Sequence, residues 1–273
     1  MGIPPLLSAE AGGRVLAWRE AGEGPPLLLL HGIGGSSEIW SAQYEALAAG
    51  FRVVGWDMPG YGGSSAPAPP AATVDFYVNA LSALMDALGI AAAHILGQSV
   101  AAPIAARFAR RHADRTLSFI FCHGLYGLGH LSEGERAAEK ERRLASFEKL
   151  GPERFAQERG PGILGPDARP EAVGTAVAVM SRVRPEGYRA AVEMLGSADI
   201  RADLPHIPAP ALVLCGDSDP VAPPDTCRAV AELLPEGGLR VLKGVGHYSC
   251  LEDPAAFNVA LEEFLRTVGA RKA

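Results

Sequence analysis

Short, nearly uninterrupted apolar runs alternate with stretches of helical periodicity through the amino-terminal half of the chain. Val15–Arg19, Pro26–Leu30, Phe51–Trp56, Ala93–Leu96 and Leu117–Cys122 read as strands. Several contain hardly a polar residue, which suits strands covered on both faces in a mostly parallel sheet. Between two of them Val74, Tyr77, Val78, Leu81, Leu84, Met85 and Leu88 recur at helical spacing. Thr73 is placed to cap that helix and Gly89 to end it. Strand–helix–strand alternation of this kind predicts an open α/β sheet.

From Leu125 to Asp203 the pattern changes. Charged helical stretches such as Glu133–Leu150 lead into the Pro- and Gly-rich Gly160–Pro170, and a further helical region ends near Ala198. No strand-like run interrupts them. Long insertions on a rigid scaffold often carry binding determinants, so residues 125–203 are expected to form a helical cap inserted into a core of residues 1–124 and 204–273. The sheet pattern resumes at Ala211–Cys215 and Leu239–Leu242, with a helix over Asp225–Leu234 between them. A last helix opens at Asp253-Pro254, with proline in the first helical position, and buries Phe257, Leu261, Phe264, Leu265 and Val268. A Pro/Ala-rich loop spans 66–72.

Composition narrows the function class. The 273 residues are 48% hydrophobic and 21% charged, enough for a core that needs no metal or disulfide. A net charge of −6 without a long basic run argues against nucleic acid. Cys122, Cys215, Cys227 and Cys250 lack C-x-x-C spacing and read as buried free thiols in a reducing compartment, with no metal site. Met1–Gly13 shows no basic region followed by an apolar one, and no apolar run reaches the roughly 20 residues of a membrane span. The expectation is a cytoplasmic protein with no membrane association and no cofactor.

Four motifs fall at predicted strand ends. His31-Gly32-Ile33-Gly34-Gly35 follows the second strand, and its glycines allow a tight turn that exposes backbone N–H groups. A tetrahedral intermediate needs two such donors; Ile33 N–H is the candidate for one and Val100 N–H for the other. Gly97-Gln98-Ser99-Val100-Ala101 has the layout of a nucleophile elbow with alanine in place of the last glycine. Pro103 requires the following helix to begin close to Ser99. In Gly216-Asp217-Ser218-Asp219-Pro220 the candidate acid is Asp219, with Asp217 as an alternative nearer the strand. His247, in Gly244-Val245-Gly246-His247-Tyr248, is the candidate base. A carboxylate fixes the tautomer of such an imidazole. Gly32, Trp40, His123 and Tyr248 are candidate substrate contacts.

The chain order Ser99, Asp219, His247 behind an upstream His-Gly-x-Gly-Gly resembles the α/β-hydrolase superfamily, from about Arg14 to Val268. Asp57-Met58-Pro59-Gly60-Tyr61-Gly62-Gly63-Ser64 is similar to that superfamily's D-x-x-G-x-G-x-S turn, whose implied role is structural. The resemblance implies a mostly parallel, eight-stranded sheet flanked by helices. His247–Asn258, together with Arg184-Pro185-Glu186-Gly187-Tyr188 through Asp199-Ile200-Arg201, most resembles 3-oxoadipate enol-lactone hydrolases. Those usually carry Met and two glycines after the serine, where this chain has Val100-Ala101-Ala102. Similar elbows occur in receptor-like members that sense butenolide-type molecules. The implied activity is hydrolysis of a small ester or lactone; the alternatives are cleavage of a diketone carbon–carbon bond, or small-molecule sensing with slow turnover. Arg182, Arg184 and Arg189 are the candidates for binding a substrate carboxylate.

Overall fold

The computed structural model describes residues 2–67 and 72–270, so 68–71 of the Pro/Ala-rich loop lie outside the described residues. Eight strands form one sheet: β1 (Leu7–Ala11), β2 (Arg14–Ala21), β3 (Pro26–Leu30), β4 (Arg52–Asp57), β5 (Ala93–Gln98), β6 (Thr116–Cys122), β7 (Ala211–Gly216) and β8 (Gly237–Leu242). Their spatial order is β1-β2-β4-β3-β5-β6-β7-β8. The first two junctions, β1 with β2 and β2 with β4, are antiparallel; the other five are parallel.

Burial follows position in the sheet. Every residue of β5 and β7 is buried, as the uninterrupted apolar runs require of central strands. The edge strands β1 and β8 are largely exposed. Pattern reading omits β1 because the residues it packs against the core, Ala9 and Ala11, are small and only half-buried. Gly12 and Gly13 both take positive φ, 57° and 75°, and join Ala11 to Arg14 in a two-residue hairpin that L side chains rarely permit. The observed strands run a residue or so past several apolar runs, because pairing continues through polar Gln98 and through Gly216.

Helices α1 (Ser41–Leu47), α2 (Val74–Ala87), α3 (Ala102–Arg111), α4 (Glu133–Arg159), α5 (Pro170–Met180), α6 (Pro185–Ser197), α7 (Pro224–Leu233), α8 (Ser249–Glu252) and α9 (Pro254–Ala270) complete the chain. Thr73 caps α2 through the N–H of Phe76. In α9 Phe257, Leu261, Leu265 and Val268 are buried and Phe264 is half-buried. Asn258 of α9 accepts a hydrogen bond from Gln43 of α1 at 2.9 Å, so the end of the chain is tied to its beginning.

Between β6 and β7 the described residues are helical or irregular. Ser132 and Glu135 form a reciprocal capping box at the start of α4. The helix breaks at Gly151, with φ 69°, directly after the predicted end at Leu150. This segment is fastened to the loops at the carboxyl ends of the parallel strands. Arg184 donates to the carbonyls of Gly60 (3.1 Å) and Ser64 (2.5 Å) beyond β4. His247, beyond β8, donates its N–H to Ile163 at 2.8 Å.

Candidate active site

Strand β5 ends at Gln98, and the chain turns through a single turn of 3-10 helix, Ser99–Ala101, into α3. Ser99 takes φ 55°, the left-handed region that costs a non-glycine residue about 1–2 kcal/mol. That conformation presents its hydroxyl at the sheet end while the strand and helix remain regular. The tight approach of strand to helix occurs at Gly97, where a Cβ would lie 2.6 Å from the Ala101 carbonyl oxygen and 2.7 Å from the Ala105 methyl. Ala101 is itself fully buried. Glycine is thus demanded at 97, and the methyl of Ala101 is accommodated.

The Ser99 hydroxyl lies 2.9 Å from His247 Nε2. On the other side of the ring, His247 Nδ1 lies 2.9 Å from Asp219 Oδ2 and 3.1 Å from Oδ1. Asp219 Oδ1 also accepts the N–H groups of Val221 (2.7 Å) and Ala222 (2.9 Å). Burial pushes the Asp219 carboxyl up, but hydrogen bonds from His123 and His247 outweigh it and hold the group well below the usual carboxylate range. An ionised Asp219 makes Nδ1 of His247 the donor and leaves Nε2 to accept the Ser99 proton. The alternative acid, Asp217, accepts from Gly244 N–H at 2.8 Å and from the Ser218 hydroxyl at 3.0 Å. Only Asp219 of the two reaches His247.

His123 stands elsewhere than the pocket wall. It is buried behind the acid, donating from Nδ1 to Asp219 Oδ2 at 2.8 Å and accepting at Nε2 from the Ser249 hydroxyl at 2.6 Å. Burial holds its pKa below the ordinary histidine value, with Asp219 opposing. Its φ is 47°, so it and Ser99 are the two non-glycine residues with positive φ among the described residues. Trp40 is also away from the cavity, fully buried and packed against Phe257 with ring centroids 6.3 Å apart. Gly32 backs onto the elbow, where a Cβ would come within 3.0 Å of Ser99 Cβ.

Ser99 and His247 open onto a narrow cavity of about 30 Å³, shared with Ile33, Val100 and Tyr248. Leu125, Phe155, Ile163, Met180, Leu195 and Val221 make most of the remaining wall apolar, and Arg143 and Arg159 complete it. The arginines read from the sequence lie outside this wall. Arg182 pairs with Glu38, Arg184 serves the Gly60 and Ser64 carbonyls, and Arg189 pairs with Glu148 at 2.5 Å.

Two supporting residues escaped the sequence reading. Gln98 donates to the His247 carbonyl at 3.2 Å. Buried Glu252 accepts from Gly165 N–H (2.6 Å), Gly246 N–H (2.9 Å) and Tyr248 N–H (3.0 Å), clasping the helical segment to the histidine loop. Neither carries a local signal, since their partners are remote in sequence or in the backbone. The aspartate turn is visible at both levels: Asp57 accepts the N–H groups of Ser37 (2.8 Å) and Gly63 (3.0 Å). His123, Asp219 and His247 are also a group whose ligand atoms fall within 4.8 Å of one another. Those atoms are engaged in the hydrogen bonds just described. The four cysteines are free and buried. No helix among the described residues is long and apolar enough to cross a membrane.

The sequence profile of the alpha/beta hydrolase fold family matches residues 25–254. The chain belongs to the α/β hydrolase fold family. It is 31% identical, over 96% of its own length and 70% of the other's, to the dihydrolipoyllysine-residue acetyltransferase component of the acetoin cleaving system of Pseudomonas putida. Among solved structures it is similar to a thermophilic esterase from Thermogutta terrifontis in its malate-bound form, with a TM-score of 0.86, 29% identity and 98% of each chain covered. It is also similar to the enol-lactonase of Burkholderia xenovorans LB400, with a TM-score of 0.78 and 28% identity over 95% of this chain and 100% of that one. Lactonase-like relatives of this α/β hydrolase are thus among its matches.

Proposed function

We propose that this α/β hydrolase cleaves small carboxylic esters or lactones through an acyl-enzyme on Ser99. The observation that carries the reading is the unbroken hydrogen-bond chain Ser99–His247–Asp219, which opens onto a narrow, mostly apolar cavity. His247 Nε2 removes the hydroxyl proton as Ser99 Oγ attacks the ester carbonyl carbon. The N–H groups of Ile33 and Val100 hold the resulting oxyanion. The carbon–oxygen bond to the alcohol then breaks, and the alcohol leaves with the proton from His247. Water gives a proton to His247 and attacks the acyl carbon, the acid departs, and Ser99 recovers its proton. Asp219 holds His247 in the required tautomer throughout. Tyr248 lines the same cavity, and the segment 125–203 acts as the cap that closes it.

Replacement of Ser99 by alanine tests this directly. Hydrolysis of p-nitrophenyl acetate should fall by at least about a thousandfold, with circular dichroism unchanged. Undiminished turnover would remove Ser99 from the reaction and the proposal with it.

A further inference from the structure

Asp219 joins two serine–histidine pairs. One is Ser99 with His247. The other is Ser249 with His123, which the reaction derived above does not use. The Ser249 hydroxyl donates to His123 Nε2 at 2.6 Å, and His123 Nδ1 donates to Asp219 Oδ2 at 2.8 Å. Ser249 and His123 are fully buried, so this second hydroxyl meets no substrate. Asp219 Oδ1 is taken by the Val221 and Ala222 N–H groups. His247 Nδ1 makes its shorter contact, 2.9 Å, with Oδ2. Both imidazoles therefore converge on one carboxylate oxygen.

The partners fix the protons. An ionised acid requires His123 Nδ1 to carry a hydrogen, and the Ser249 donor requires Nε2 to present a lone pair, so the ring is neutral. Its hydrogen bond still draws on charge that Asp219 would otherwise direct wholly at His247. That charge stabilises the imidazolium formed when His247 takes the Ser99 proton. Competition of this kind is strong in a buried network of low dielectric. The two rings stand edge to face with centroids 5.7 Å apart, where two positive charges would repel. The backbone holds His123 in place at φ 47°, in the left-handed region. Strain of that sort collects at functional sites.

We infer that His123 is a positioning residue for the hydrolysis. By sharing Asp219 it keeps His247 unprotonated, and so able to act as base, to lower pH than an undivided acid would allow. The inference rests on the hydrolase reading above and assigns a role within it. Other titratable groups around the cluster are Cys122, Cys215, Cys227 and Cys250, all buried thiols, and Glu252, which accepts three backbone N–H groups. Tyr248, Arg143 and Arg159 face His247 from the cavity. All of these stay the same when His123 alone is changed, so a shift on its replacement reports His123.

The acid limb of kcat/KM against pH reports the ionisation of the base in the free enzyme. With p-nitrophenyl acetate, His123→Phe, which fills the site without a donor, should raise the midpoint of that limb by about half a unit or more. His123→Ala should move it the same way. In His123→Asn the amide Nδ2 stands where Nδ1 stood, and the midpoint should stay near the wild-type value. An unchanged midpoint in both His123→Phe and His123→Ala would overturn the inference, as would an equal rise in His123→Asn.

Titration is also read without turnover. In the Ser99→Ala protein the His247 ring, followed by NMR, should take up its proton at lower pH than in Ser99→Ala combined with His123→Phe. Coincident titrations would overturn the inference whatever the activity. Absence of ester hydrolysis beside well-separated titrations would instead overturn the reaction.

Discussion

Four donors converge on Asp219: the N–H groups of Val221 and Ala222, and the Nδ1 atoms of His247 and His123. The last is the donor that local pattern could not supply. His123 meets the acid because β6 pairs with β7 in the register Cys122↔Leu214, and His123 N–H continues that pairing to the Leu214 carbonyl at 2.8 Å. Sequence reading placed a histidine at the strand end but gave no register, and so assigned it to the pocket wall. Ser99, Asp219 and His247 were legible because each falls within a few residues of a strand end. His123→Ala should destabilise the protein by about 1–3 kcal/mol and lower kcat, since Asp219 loses a donor and Ser249 an acceptor. His123→Asn keeps a donor and tolerates positive φ, so it should retain most of both properties. Thermal melting and p-nitrophenyl acetate turnover check the pair; matching losses in the two variants would count against a positioning role.

Strands and helices differ in how plainly the sequence announces them. Covered strands such as β5 and β7 stand out as apolar runs, and α2 stands out by its cap and spacing. The largely exposed β1 does not, because it packs only the small Ala9 and Ala11 against the core and shows no strong apolar pattern. The contacts between elements were the least legible. Glu252, on α8, spans from the histidine loop to Gly165 across 87 positions of sequence. In Glu252→Gln an amide N–H₂ would face a backbone N–H, leaving donors buried without an acceptor. The expected outcome is a loss of about 2 kcal/mol together with a lower kcat, because the loop carrying His247 loses its fastening. Denaturant unfolding and steady-state kinetics measure these effects; an unchanged kcat would show that the fastening does not position His247.

The protein as a whole carries a pH dependence set by its buried histidines. His31 accepts the Met58 N–H at Nε2 (3.0 Å) and lies beside the Gly32 carbonyl at Nδ1 (2.8 Å), which fits the neutral ring. Burial lowers the pKa of both His31 and His123 in the fold. The unfolded chain takes up those protons near pH 6.5, about the ordinary value, and the folded chain only at lower pH. Unfolding therefore binds protons, and stability should fall as pH drops below about 6.5, by up to about 1.4 kcal/mol per pH unit for each ring. The depressed Asp219 acts in the same sense lower down: its contribution is complete above about pH 4 and is lost below it. Melting temperatures recorded from pH 7.5 to 5 should decline, and less steeply in His123→Asn. A flat profile would contradict the account.

Ser99 and His247 are 148 positions apart, and the bond from Gln43 to Asn258 spans 215. Closing loops of that length is slow because chain entropy is lost before any contact rewards it. No fragment shorter than residues 99–247 holds both Ser99 and His247. During refolding, secondary structure should therefore recover before the hydroxyl and imidazole meet, and catalytic power should return only when the last strand and helix have docked.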